Sequence, residues 1–202
     1  IERRAAVRHA LMRAFTAALE ERDFFAQGHA ARLEDLSVRL GKALGLPEAA
    51  LDNLRLLARF HDIGKVGIPD HILFKPGPLT PEERREMERH AEIGHRIAQV
   101  FPTLAPVADL ILKHHEWYNG EGYPLNLKGE EIPVECRILA IVDAYDAMTG
   151  DRPYRKAMPP EKAREELLRC AGTQFDPELV RLFIEVLNGK GDTHTPATND
   201  VH

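Results

Sequence analysis

The chain has 202 residues, with 27 basic against 32 acidic side chains and a formal charge of −5. With 44% hydrophobic and 29% charged residues it can close a core of its own, which argues against disorder. A mildly acidic balance also excludes a generic binder of nucleic-acid polymers, and no apolar run nears the ~18 residues that span a bilayer.

The pattern is helical nearly throughout. Val7, Leu11, Ala14, Phe15, Ala18 and Leu19 form one stripe over residues 3–22. This helix reads either as a connector that dimerises or signals or as an ordinary core helix. A second helix is predicted over 29–44, stopping at Gly45-Leu46-Pro47, and a third runs through Leu51, Leu54 and Leu57 toward His61-Asp62. Residues 64–80 read as a long ordered loop. Thr80, Pro81 and Glu83 then mark a helix start with a capping box. Helices follow over 82–100 and 104–115. The Gly/Pro/Asn-rich stretch 116–133 is too long for a plain connection, which points to function. Further helices are predicted over 134–149 and 160–171, with a last one opening at Asp176-Pro177-Glu178. No period-2 run long enough for a core strand occurs, so the expected fold is all-α with one core.

The predicted organisation is a connector over 1–22, a domain over 23–188 and a flexible tail over 189–202. The chain opens with Ile1 rather than Met, so a piece of a longer protein is expected. It carries no signal-peptide pattern. Cys136 and Cys170 lie far apart and outside any C-x-x-C, so reduced cytosol is the expected compartment.

Ten histidines are present, and their placement is informative. His61-Asp62 closes one apolar helix and His114-His115 closes another. His29 and His90 begin helical stretches, and Asp143 and Asp146 lie one turn apart inside the apolar helix 138–148. A divalent metal that activates water needs several imidazoles plus carboxylate charge. Adjacent residues on a helix diverge, so a His-Asp pair can offer its imidazole to one ion and its carboxylate to two. A carboxylate at Asp143, on a helix with no Lys or Arg at matching spacing, calls for a cation if buried. His9, His71, His95, His194 and His202 read as ordinary histidines.

His61-Asp62-Ile63-Gly64-Lys65, His114-His115-Glu116 and Gly122-Tyr123-Pro124 resemble the HD-GYP domain, a branch of the HD metal-dependent phosphohydrolases. The likeness runs from about Asp23 to Leu187. It takes in Ile68-Pro69-Asp70, Lys75-Pro76-Gly77-Pro78-Leu79-Thr80, Arg152-Pro153-Tyr154-Arg155 and the segment from Gly172 to Pro177. It implies an HD-type helical bundle with a long G-Y-P loop that hydrolyses cyclic di-GMP at a centre of two divalent ions, iron or manganese. By position, one ion would take His29, His61, Asp62 and Asp143. The other would share Asp62 and add His90, His114 and His115. Lys65, Arg152 and Arg155 match phosphate-contacting positions, and Tyr123 lies in the loop that borders the substrate. Phe25 stands where three-metal members carry a glutamate, which favours two ions. Asn119 and Arg155 replace an Asp and a Lys found in other members.

The implied reaction is attack on one phosphodiester by a hydroxide shared between the ions. It gives pGpG, and GMP if the linear product is accepted again. Asp146, Lys65 or a metal-held water is the candidate donor to the leaving oxygen. On the residues alone, Tyr123 serves a guanine face, a partner surface or loop packing, and Arg152 and Arg155 also suit an exposed helix start. Other readings are an HD hydrolase of another cyclic dinucleotide or a silent cyclic di-GMP receptor. A further one is docking of the G-Y-P loop to a diguanylate cyclase (GGDEF) domain, with a homodimer formed through the first helix.

Overall fold

The structure, a computed structural model, describes residues 28–151 and 156–189. The expected helix over 3–22, with the dimer contact assigned to it, and all but Gly189 of the tail lie outside the described residues. Among the described residues the secondary structure is helical, and a single isolated bridge pairs Ala171 with Phe175. No helix among them is long and apolar enough to cross a membrane.

Helix α1 covers His29–Ala43 and α2 covers Glu48–Phe60. They are joined where the sequence places a stop. Gly45 adopts φ 79°, its amide donates to Lys42 O, and the Leu46 amide donates to Gly41 O, which closes the last turn of α1. A 3₁₀ turn at Ile63–Gly67 and a short α3 at Asp70–Leu73 occupy what the sequence reads as loop. Helix α4, Pro81–Glu88, carries the expected capping box, with Thr80 and Glu83 bonded reciprocally.

The predicted helix 82–100 is broken. Helix α5 starts afresh at His90 and runs to Val100. At the joint Arg89 N donates to Glu86 O in the tighter i−3 pattern, and Met87 O accepts a bond from the His90 ring. No Gly or Pro marks this break. It is made by a side chain competing for a helix-end carbonyl. The predicted helix 104–115 also shortens: Ala105–Val107, containing Pro106, is 3₁₀, and α6 covers Ala108–Lys113.

Helix α7, Val134–Thr149, has the predicted bounds and buries Cys136, Ile138, Leu139, Ile141 and Val142. An almost all-round apolar helix belongs at the centre of a core. It packs on α1, on α2 and on the two final helices, α8 at Pro160–Arg169 and α9 at Pro177–Leu187. Asp176 caps α9 by accepting from the amides of Glu178 and Leu179, and it also binds Arg137 of α7 at 2.6 Å. Leu33, Leu40, Leu54, Leu57, Val180 and Phe183 complete one hydrophobic cluster with α7. Helix α5 lies to one side, against the 3₁₀ turn at Ile63–Gly67 and α6.

That contact is very close. A Cβ on Gly64 would lie 1.9 Å from His90 O and 2.5 Å from Gly94 N. Glycine in the H-D-I-G-K segment therefore allows α5 to reach the end of α2, which sets Asp62 beside His90.

A candidate metal centre at the ends of four helices

Three of the expected ligands share one construction. His61 follows the end of α2, His90 follows α4, and His114 follows α6. The last carbonyls of a helix have no partner within it. Each ring uses one of them: His61 Nδ1 bonds Ala58 O at 3.1 Å, His90 Nδ1 bonds Met87 O at 2.7 Å, and His114 Nδ1 bonds Ile111 O at 2.6 Å. A carbonyl only accepts, so each Nδ1 carries the proton and each Nε2 presents a lone pair inward.

Two groups form around these lone pairs. Asp62, His90, His114 and His115 bring ligand atoms within 4.8 Å of one another, as do His29, His61 and Asp143. His90 Nε2 lies 3.4 Å from His114 Nε2 and 3.1 Å from His115 Nε2. Converging lone pairs repel unless a cation sits among them. Nitrogens bound to one ion at ~2.1 Å would themselves stand about 3 Å apart. The donor set thus fits a divalent metal.

Asp62 joins the groups. Its Oδ2 is 3.4 Å from His61 Nε2 and its Oδ1 is 3.5 Å from His90 Nε2, one oxygen toward each side. The Lys65 ammonium stands 2.7 Å from Oδ2. Burial pushes the Asp62 carboxyl up, but Lys65, His61 and His90 together hold it well below the usual carboxylate range. Burial lowers His61 while Asp62 raises it, and the net shift is upward. Burial lowers His90 and, with neighbouring His115, pulls His114 well down. His115 falls to about 3, through burial and then His90.

The two acids of α7 correct the sequence reading. Asp143 is not buried: its side chain keeps 33% of its exposure and faces His29 Nε2 at 3.5 Å. Asp146 is the buried one, and its cation comes from α1. Arg32 Nε and one terminal nitrogen bond its two oxygens at 2.5 and 3.0 Å, and His29 Nδ1 donates to Oδ2 at 2.7 Å. Burial raises the Asp146 carboxyl, but His29 and Arg32 overcome it and hold it at about 2. Held as an anion between Arg32 and His29, Asp146 is placed to orient the His29 ring. Arg32 was not singled out in the sequence, although its place one turn beyond His29 is the signal that would have found it. Glu116 was also passed over as a functional residue. It is buried and accepts from the amides of Leu125 and Leu127 at 2.6 and 2.8 Å.

Tyr123 is half-buried, with its ring stacked on His115 at a centroid distance of 4.9 Å and 30° between planes. Arg152, Arg155 and Phe25 lie outside the described residues.

A helical bundle with a two-part His/Asp centre defines a class, and comparison with known proteins agrees. The HD domain profile matches residues 13–179, so the chain belongs to the HD domain family. The H-D-x-G-K and H-H-E residues, with Gly122-Tyr123-Pro124, place it in the HD-GYP branch. A cyclic di-GMP phosphodiesterase of Thermotoga maritima is 41% identical over 169 residues, 83% of this chain and 46% of the relative. A 3′3′-cGAMP-specific phosphodiesterase 2 of Vibrio cholerae is 38% identical over 176 residues, 83% of this chain and 33% of the relative. The chain therefore spans less than half the length of these curated relatives. A crystal structure of a cyclic GMP-AMP-specific phosphodiesterase of V. cholerae (V-cGAP3) superposes with a TM-score of 0.69. That match covers 88% of this chain and 48% of the other; at 22% identity it speaks to the fold.

Proposed function

We propose that this domain is a metal-dependent phosphodiesterase that hydrolyses cyclic di-GMP to pGpG. The observation that carries the proposal is Asp62, whose two oxygens face two separate imidazole groups. His29, His61 and Asp143 would hold one divalent ion, His90, His114 and His115 the other, and Asp62 both. Iron and manganese suit this mixture of imidazole and carboxylate. When bound, such a pair of ions lowers the pKa of water toward neutrality and polarises a phosphoryl oxygen.

The protein's own groups do the rest. Four ligand imidazoles are held in one orientation by Asp146 or by helix-end carbonyls, so little reorganisation is needed as substrate enters. The Lys65 ammonium, at the edge of the centre, offsets charge growing on a non-bridging oxygen and is our candidate donor to the leaving 3′ oxygen. Arg152 and Arg155 are assigned the outer phosphate oxygens, since a guanidinium grips two at once. Tyr123 would border the bound dinucleotide with the outer side of its ring.

Two relatives named for cyclic di-GMP and for 3′3′-cGAMP, at 41% and 38% identity, support a second reading in which the substrate is the mixed dinucleotide. Purification without oxygen, elemental analysis and product assays on cyclic di-GMP, 3′3′-cGAMP and pGpG separate the readings. Two equivalents of metal with turnover of cyclic di-GMP is the expected result. Binding without turnover in metal-loaded protein would favour a silent receptor. Docking of a GGDEF domain on the G-Y-P loop is a separate proposal, consistent with the exposure of Trp117 and Leu125 in that loop.

A further inference from the structure

Of the five imidazoles around the centre, four have Nδ1 tied to a fixed acceptor: Asp146 for His29 and helix-end carbonyls for His61, His90 and His114. His115 differs. Among the described residues no acceptor is bonded to its Nδ1, and its polar approach is the 3.1 Å from Nε2 to His90 Nε2. Its ring lies tilted by 43° against His114 at 4.0 Å and stacks on Tyr123 at 4.9 Å.

The residues that hold Tyr123 in place are local and unusually constrained. The Tyr123 amide donates to His115 O at 3.2 Å. Gly122 passes so close to the same backbone that a Cβ would lie 2.2 Å from Trp117 N and 2.5 Å from His115 O. On the far side of the turn, both oxygens of Glu116 are spent on the amides of Leu125 and Leu127. Glu116 is 3% exposed and follows His115 directly in sequence. A buried carboxylate that accepts two backbone bonds costs too much to leave unmatched, so it fastens the loop firmly.

We propose that Glu116 and Tyr123 are positioning residues for the metal centre. Glu116 clamps the Gly122-Tyr123-Pro124 turn, and the Tyr123 ring replaces for His115 the Nδ1 anchor that the other four imidazoles have. The inference rests on the two-ion reading of the centre and not on the identity of the substrate. It makes the G-Y-P loop part of the support for one ion, whatever else the loop touches. An outer partner of a metal ligand is typically worth ten- to a hundredfold in affinity.

The test is manganese titration of the EDTA-treated 202-residue chain, followed by calorimetry and by the electron paramagnetic resonance of the bound ion. The parent is expected to show two sites. Tyr123→Ala and Glu116→Gln should weaken one of them about ten- to a hundredfold and leave the other unchanged, whereas Tyr123→Phe, which keeps the ring, should retain both. Glu116→Gln sets an amide donor against a backbone donor; should it fail to fold, Tyr123→Ala carries the test alone. Two unaltered sites in Tyr123→Ala would overturn the proposal, as would equal weakening of both sites with a matching fall in melting temperature. A parent that takes up no manganese would overturn the metal reading as well. A parent with two sites that hydrolyses no cyclic dinucleotide would sink the proposed activity and leave this inference standing.

Discussion

The two halves of the centre are built differently. The half made by His29, His61 and Asp143 rests on α1, α2 and α7, the helices of the main core, and is rich in charge, with Asp146 and Arg32 behind it. The half made by His90, His114 and His115 lies at helix ends beside the smaller α5–α6 layer, is mostly nitrogen, and takes its carboxylate from Asp62 alone. Carboxylates raise the proton affinity of an imidazole while burial among other imidazoles lowers it, so His61 shifts up where His90, His114 and His115 shift down. One centre thus pairs a carboxylate-rich group, in which His61 holds a proton more readily than an ordinary imidazole, with a nitrogen-rich group whose imidazoles hold one less readily.

The comparison breaks most completely at Asp62. Asp62→Ala removes the group common to both halves and should reduce affinity for both ions by more than about a hundredfold, beyond the usual effect of an outer-shell change. Elemental analysis together with a hydrolysis assay would show it. Full metal occupancy with retained turnover would remove the bridging role.

Gly64→Ala comes next. A methyl group 1.9 Å from His90 O forces α5 away from the end of α2, which should cost about 3 kcal/mol, read by thermal unfolding. Because the displaced helix carries His90, the nitrogen-rich half should lose its ion first. Equal loss from both halves would show that they are mechanically one unit.

Acidification should separate the halves without a mutation. Protons compete with metal for imidazole, and a ligand competes from its own pKa downward. His61, raised above its ordinary value, begins to take up protons at higher pH than His90 or His115, the latter held at about 3. As the pH is lowered, manganese affinity of the charged half should therefore decline before that of the nitrogen-rich half. Titration calorimetry at several pH values measures this, and the reverse order of release would contradict the charge distribution.

The smallest effect is expected at Asp146. Asp146→Ala leaves every proposed ligand in place but frees His29 Nδ1 and takes a carboxylate partner from Arg32, so the charged half alone should weaken by about tenfold. No change in ion affinity would confine Asp146 to a structural salt bridge with Arg32.

Much of this centre was legible before folding was considered. His61-Asp62 and His114-His115 declare themselves as polar pairs that end apolar helices, and the chemistry of a bridging metal site needs such pairs. The bounds of α7, the capping box at Thr80 and the cap at Asp176 follow from local preferences that act over three or four residues. The break at Arg89 was not legible, because it depends on His90 reaching back to Met87 rather than on a residue that disfavours helix. The difference between Asp143 and Asp146 was not legible for the same kind of reason. Two acids one turn apart on an apolar helix look alike until Arg32 arrives from α1 and pairs with one of them.

The amino-acid order therefore determined most of the helices and the inventory of candidate metal-binding side chains, since each depends on propensities and patterns within a few neighbouring residues. Which acid lies exposed beside His29 and which is buried against Arg32, which imidazoles converge, and why Glu116 grips its own loop were decided by tertiary structure. Those properties are distances between groups far apart in sequence, from 9 positions for Glu116 and Leu125 to 117 for His29 and Asp146, and they come into being when the core brings the helix ends together.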